Sequence, residues 1–279
     1  MTPFTVTTRY GEIAVHLSGC SPDDAPGLLL LHANPGDHRD FDQIVPALDK
    51  TWAVAAVDWP GYGASTVTDP DAVTVDALGD IAVRVSTSLA QIGFGSLTVI
   101  GNSVGGYAAV RLAERAPDLV RGLVLVQSAG FAPLNPLTRA MFGLIACPSV
   151  ARRFVVPHAR LYLGSPRNEG VRPLFERARE VSGDPIRLAV YRSLWRSLDD
   201  PRVYLPAAAP LLPGLPVQVV WGRDDPTNPW LMNRRGIARA LPGAPVAVLP
   251  TRHEPFAQAP GLFLDAVREF LTARAGMRQ

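Results

Sequence analysis

The sequence predicts an α/β fold: a mostly parallel, doubly wound sheet of about eight strands, interrupted by a helical insert. Three observations predict it. Short apolar runs alternate with stretches of helical length, the order expected where parallel strands are joined by crossover helices. The runs at residues 28–31, 52–57, 97–100 and 123–126 are almost continuously apolar, as strands buried on both faces are. The alternation stops at about residue 131 and resumes at about residue 215.

Residues 4–17 alternate apolar and polar side chains around Tyr10-Gly11, which reads as an antiparallel hairpin at the sheet edge. The runs at 28–31 and 52–57 follow. Residues 75–92 have the length and spacing of a helix. The run at 97–100 leads into a second helical pattern at 104–115, and 123–126 is the next strand. Between 131 and 206 the β-runs disappear and prolines divide the chain into short helices. That stretch has twelve arginines against six acidic residues. Its net +6 leaves the remainder at −4 within an overall +2. It is either a solvated helical insert with a basic face or a lid over a site. Residues 217–221 then read as a strand, 230–240 as a helix, 246–249 as a strand and 260–275 as a closing helix. The organisation expected is a core of residues 1–130 and 207–279, with 131–206 inserted.

A chain of 279 residues makes one large domain, or a core with an insertion. No apolar run approaches the ~20 residues a membrane span needs. Residues 1–10 lack the charged start and apolar stretch of an export signal. Cys20 and Cys147 give neither a metal spacing nor a disulfide framework. A cytoplasmic location is the default expectation. The net charge of +2 points to no nucleic-acid partner. Lys50 is the only lysine, and with 27 prolines this marks a GC-rich, bacterial type of coding sequence rather than a chemistry.

The chemistry centres on Gly101-Asn102-Ser103-Val104-Gly105-Gly106, between a strand and a helix. A serine hydroxyl that projects from such a turn needs small residues on either side, so that strand and helix can approach. The helix start also offers free N–H groups to negative charge. Serine is a poor nucleophile without a base. Of the five histidines, His16 falls in the edge hairpin as a surface residue, His38 in a polar loop and His158 in the insert. His253 follows the last strand, and parallel strands gather their carboxyl-end loops on one edge, so it shares that edge with Ser103. The imidazole needs a carboxylate to fix its tautomer. Asp224 and Asp225 both follow the strand at 217–221, whereas the loop 127–130 contains no acid.

The order Ser103, Asp225, His253 resembles the α/β-hydrolase fold family with a helical cap. The family's Gly-x-x-Asp-x-x-x-Pro stretch fits Gly222, Asp225 and Pro229, which selects Asp225 as the acid. Residues Asp58-Trp-Pro-Gly-Tyr-Gly-Ala-Ser65 resemble its Asp-x-Pro-Gly-x-Gly-x-Ser turn, and His253-Glu-Pro-Phe its histidine loop. His32-Ala33-Asn34-Pro35-Gly36 is similar to its His-Gly-x-Pro loop, with Ala33 replacing glycine. The resemblance implies an oxyanion hole from the backbone N–H groups of Val104 and Asn34, with His32 holding that loop at the pocket's border. It also implies that 131–206 is the cap.

Serine rather than aspartate at the nucleophile separates the chain from haloalkane dehalogenases and epoxide hydrolases. Similarity extends to esterases, cofactor-free haloperoxidases and carbon–carbon bond hydrolases, although Glu254 stands where the last group usually has tryptophan. The expectation is a hydrolase needing no cofactor or metal, acting on an ester, thioester or other activated carbonyl of a small to medium apolar molecule. Met141, Phe142, Leu144, Tyr191, Leu194 and Trp195 could line its pocket, and arginines of the insert could hold a substrate carboxylate. A carbon–carbon bond hydrolase, or a non-hydrolytic cyclase, lyase or acyltransferase of specialised metabolism on the same fold, is the first alternative. A ligand-binding receptor with slow turnover is the second.

Overall fold

A computed structural model describes residues 3–276, so residues 1–2 and 277–279 of the expected segments lie outside it. The strands are β1 Phe4–Thr8, β2 Gly11–Gly19, β3 Gly27–Leu31, β4 Ala53–Val57, β5 Leu97–Asn102, β6 Val120–Val126, β7 Val217–Gly222 and β8 Val246–Leu249. The helices are α1 Val45–Leu48, α2 Val75–Ala90, α3 Val104–Arg115, α4 Pro136–Ala146, α5 Pro148–Leu163, α6 Arg172–Gly183, α7 Pro185–Ser197, α8 Trp230–Ala240, α9 Pro255–Gln258 and α10 Pro260–Ala275.

One eight-stranded sheet runs in the order β1-β2-β4-β3-β5-β6-β7-β8. The pairs β1–β2 and β2–β4 are antiparallel, and every later pair is parallel. Every residue of β3, β4 and β5 is buried, which is why these segments read as unbroken apolar runs. At the far edge β8 alternates exposed and half-buried residues. Helices α2 and α3 pack on each other, with α3 over β3, β5 and β6, while α10 packs over β6, β7 and β8.

The chain winds outward from β3 to β4, then reverses to β5 on the other side of β3. Loops at the carboxyl ends of strands on either side of such a reversal leave a crevice between them. Asn34 follows β3 and Ser103 follows β5, so the sheet order itself brings these two loops together.

Helices α4 to α7 all lie between β6 and β7. Asn135 opens α4 with a reciprocal cap: its Oδ1 accepts from Leu137 and Thr138 N–H, and Thr138 Oγ1 accepts from Asn135 N–H. Among the described residues no single helix is long and apolar enough to cross a membrane; α4 and α5 reach that length only together, and they bend by 98°. The segment is tied to the core by polar contacts. Ser193 Oγ donates to Asp71 O, Val75 N–H donates to Ser197 Oγ, and the Arg177 guanidinium donates to buried Asp40.

Candidate active site

Ser103 joins β5 to α3 with φ 54° and ψ −116°, a region that side chains other than glycine rarely adopt. Such a backbone costs about 1–3 kcal/mol and persists only where its surroundings enforce it. Here Ser103 N–H donates to Val126 O, and Ser103 O accepts from Gly106, Tyr107 and Ala129 N–H. The glycines on either side are a packing requirement. A Cβ on Gly101 would sit 2.4 Å from Gly105 O, and one on Gly105 would sit 2.3 Å from Leu31 O.

His253 lies in the loop after β8, anchored by its N–H to Tyr162 O and by its carbonyl, which accepts from Asn102 Nδ2. Its Nδ1 meets Asp225 Oδ2 at 2.6 Å, so Nδ1–H donates and Nε2 is left free to accept a proton. Asp225 is buried, and its oxygens also accept from Gln127 Nε2, Thr227 N–H and Thr227 Oγ1. Burial alone would push this carboxyl up. The nearby His253 charge and the hydrogen bonds from His253 and Thr227 outweigh it and hold Asp225 below the usual carboxylate range. Asp224, by contrast, is exposed and pairs with Arg223.

Ser103 and His253 face one cavity of about 330 Å³. Ser103 Oγ makes no hydrogen bond among the described residues; hydrogen bonds of this kind often close only around a substrate. Val104 N–H is the first of α3, where no helical carbonyl reaches it. Asn34 also borders the cavity. Its Oδ1 accepts from Tyr62 Oη and its Nδ2 donates to Tyr191 O, which braces the loop against α7.

Of the expected pocket residues, Met141, Phe142 and Trp195 line the cavity. Four others do not. His32 is wholly buried beneath the loop, where Nδ1–H donates to Ala33 O and Nε2 accepts from Trp59 N–H. Burial lowers it to about 4, so it is a neutral structural group. Tyr191 and Leu194 are buried between helices, and Leu144 is on the outer surface. No arginine of the insert lines the cavity, nor does any other charged side chain among the described residues. These arginines are exposed, ion-paired or, for Arg192, bonded to Ala146 O, so none is placed to grip a substrate carboxylate in this cavity.

Sequence reasoning missed two neighbours of the site. Gln127 is in the loop set aside for lacking an acid, yet its amide donates to Asp225. His158, from α5, lines the cavity. His16, expected at the surface, is half-buried: β4 pairs with the free side of β2, and His16 Nε2 reaches the buried Asp58 at 2.9 Å. His38 Nδ1 meets the other Asp58 oxygen, and the two imidazoles stack with centroids 3.4 Å apart. His16, His38 and Asp58 are the one group of metal-ligating side chains among the described residues. Asp58 already accepts from both rings and from His38 and Ala64 N–H, so its lone pairs are committed to these donors. Burial pushes Asp58 up, but these bonds outweigh it and hold it well below the usual range.

The sequence matches the alpha/beta hydrolase fold family over residues 26–260. The pimeloyl-[acyl-carrier protein] methyl ester esterase of Neisseria meningitidis is 28% identical over 268 residues, spanning 90% of this chain and 95% of that protein. An uncharacterized protein of Mycobacterium tuberculosis is 23% identical over 267 residues, spanning 88% and 75%. Among solved structures, the enol-lactonase of Burkholderia xenovorans superposes with a TM-score of 0.79 at 21% identity, covering 96% of this chain and 100% of that one. A thermophilic esterase from Thermogutta terrifontis gives 0.75 at 23%, covering 99% and 100%. At such identity the two structures speak for the fold alone.

Proposed function

The chain belongs to the α/β-hydrolase fold family, and we propose that it is a cofactor-independent serine hydrolase in which Ser103, His253 and Asp225 cleave an ester through an acyl-enzyme. The observation that carries this reading is the 2.6 Å bond from His253 Nδ1 to Asp225 on the wall of the cavity that Ser103 also faces.

Ser103 Oγ attacks the ester carbonyl carbon while its proton passes to His253 Nε2. The imidazolium that forms is stabilised by ionised Asp225. The carbonyl oxygen gains the negative charge and meets the N–H groups of Val104 and Asn34; one such donor is worth about 10²–10³ in rate. The tetrahedral intermediate collapses, the carbon–oxygen bond to the leaving alkoxide breaks, and His253 returns its proton to that oxygen. Water then attacks the acyl-enzyme, losing a proton to His253, and the acid departs as the proton returns to Ser103 Oγ.

Residues 131–206 act as the cap over this site. The uncharged, mostly apolar lining suits a small to medium, uncharged ester. The Neisseria relative, by its name, cleaves a methyl ester, which agrees with ester chemistry here. Two unpaired cysteines fit a cytoplasmic location.

A panel of p-nitrophenyl esters of graded acyl length tests the reading. Turnover by the wild type that Ser103→Ala abolishes, with the far-ultraviolet circular dichroism unchanged, is the expected result. Retained turnover in a folded Ser103→Ala protein refutes the nucleophile.

A further inference from the structure

The cavity holds a second imidazole that the proposed reaction does not use. His158 comes from α5 and is only 4% exposed. It packs among Phe154, Tyr162 and Trp195. The ring of Tyr162 lies between it and His253, with centroids 5.1 Å from one and 5.5 Å from the other. The two histidines therefore stand one phenol ring apart on the same cavity.

The tautomer of His158 follows from its one hydrogen bond, Tyr191 Oη to Nδ1 at 3.2 Å. Tyr191 is wholly buried, and among the described residues its hydroxyl reaches no other acceptor. A buried hydroxyl proton left without an acceptor is costly, so Tyr191 donates and Nδ1 accepts. The ring proton is then on Nε2, which makes no hydrogen bond among the described residues. Burial, reinforced by the His253 charge, lowers His158 to about 4, so near neutral pH the ring is an uncharged donor. The same Tyr191 accepts through its carbonyl from Asn34 Nδ2, which ties the donor to the loop of the proposed oxyanion hole.

Resting on the serine-hydrolase reading, we propose that His158 sets substrate specificity. Its Nε2–H donates to a neutral oxygen that the substrate carries apart from the scissile carbonyl. The preferred substrates are then esters with a second carbonyl or an ether oxygen in the chain, rather than plain alkyl esters. A carboxylate in that place is disfavoured, because among the described residues no cationic side chain lines the cavity to balance it.

The test compares p-nitrophenyl alkanoates with isosteres in which one methylene is replaced by an ether oxygen or a ketone, moved stepwise along the chain. At one position the wild type favours the oxygenated ester by about 10-fold or more in kcat/KM, mainly through KM. His158→Phe brings that ratio to about one, and His158→Gln, which keeps an N–H donor, restores part of it. A wild type with no preference at any position overturns the proposal. So does a preference that survives His158→Phe, or a Gln variant no better than Phe. The same pairs are also titrated calorimetrically into Ser103→Ala and Ser103→Ala/His158→Phe. That arm reads binding alone, so a missing preference there condemns the role of His158, whereas absent turnover by the wild type condemns the hydrolase reading.

Discussion

Around Asp225, on the strand side of the cavity, four hydrogen bonds converge on one buried carboxylate. Where α6 meets the core, buried carboxyl oxygens go without. Arg177 reaches in from α6 to Asp40 and toward Asp37, and Glu254 lies in the same charged cluster. Yet Asp40 Oδ2 and Glu254 Oε2 have no donor among the described residues. Burial pushes Glu254 well above its ordinary 4.5 and Asp40 up to about 7. Asp37 goes the other way: burial would raise it, but Arg39 and Arg177 hold it below the usual range. The acid that must stay charged for the proposed reaction is therefore saturated with donors. The carboxyl cluster where α6 meets the core relies instead on the Arg177 guanidinium and on protons that can be lost. The junction also touches the site, because Asp40 lies against Gly36 in the loop after β3, and Glu254 follows His253 directly.

The largest expected effect breaks the strand side. Asp225→Asn should lower kcat by about 10⁴, since an amide cannot hold the Nδ1–H tautomer or balance an imidazolium. Asp224→Asn should stay within a few-fold of wild type. A reversal of the two, measured by steady-state kinetics, would move the acid by one residue.

Next comes the junction. Arg177→Met leaves Asp37 and Asp40 without their shared cation, and removing one partner of a buried ion pair costs about 3–5 kcal/mol. The expected result is a lower urea midpoint. A variant as stable as wild type would mean that this buried ion pair adds no net stability to the junction.

The smallest effect is a pH dependence of opposite sign on the two sides. Asp225 is depressed in the folded chain, so its contribution is present above the ordinary carboxylate range and fades as pH falls through the folded value. Glu254 is raised, so its contribution is full below its ordinary 4.5 and is lost as pH rises through the folded value. Glu254→Gln should therefore leave stability near pH 4 almost unchanged and increase it at pH 8. Thermal melts at the two pH values measure this, and an equal shift at both would remove titration as the cause.

The same two regions differ in what their sequence discloses. The strands and the turn at Ser103 are legible because their constraints are local. A strand buried on both faces must be apolar throughout, as β3 and β4 are. A turn that brings Gly105 against the Leu31 carbonyl must carry glycine. The helices Trp230–Ala240 and Pro260–Ala275 follow from periodicity in the same way. Contacts between distant segments leave no such trace. Nothing in the sequence around Gln127 or His158 says that one will meet Asp225 and the other will line the cavity that Ser103 faces. His16 misleads for a related reason: the hairpin is visible in the alternation of residues 4–17, but the pairing of its second strand with β4 is not. The arginines of the insert show only as a net charge, and which single one is buried is settled by packing.

The central claim, that Ser103 is the activated nucleophile, is tested most directly by a fluorophosphonate probe followed by mass-spectrometric mapping of the labelled peptide. The account predicts one stoichiometric adduct on Ser103, slowed strongly in Asp225→Asn. A folded wild-type protein that takes up no probe, or takes it up on another serine, would contradict it.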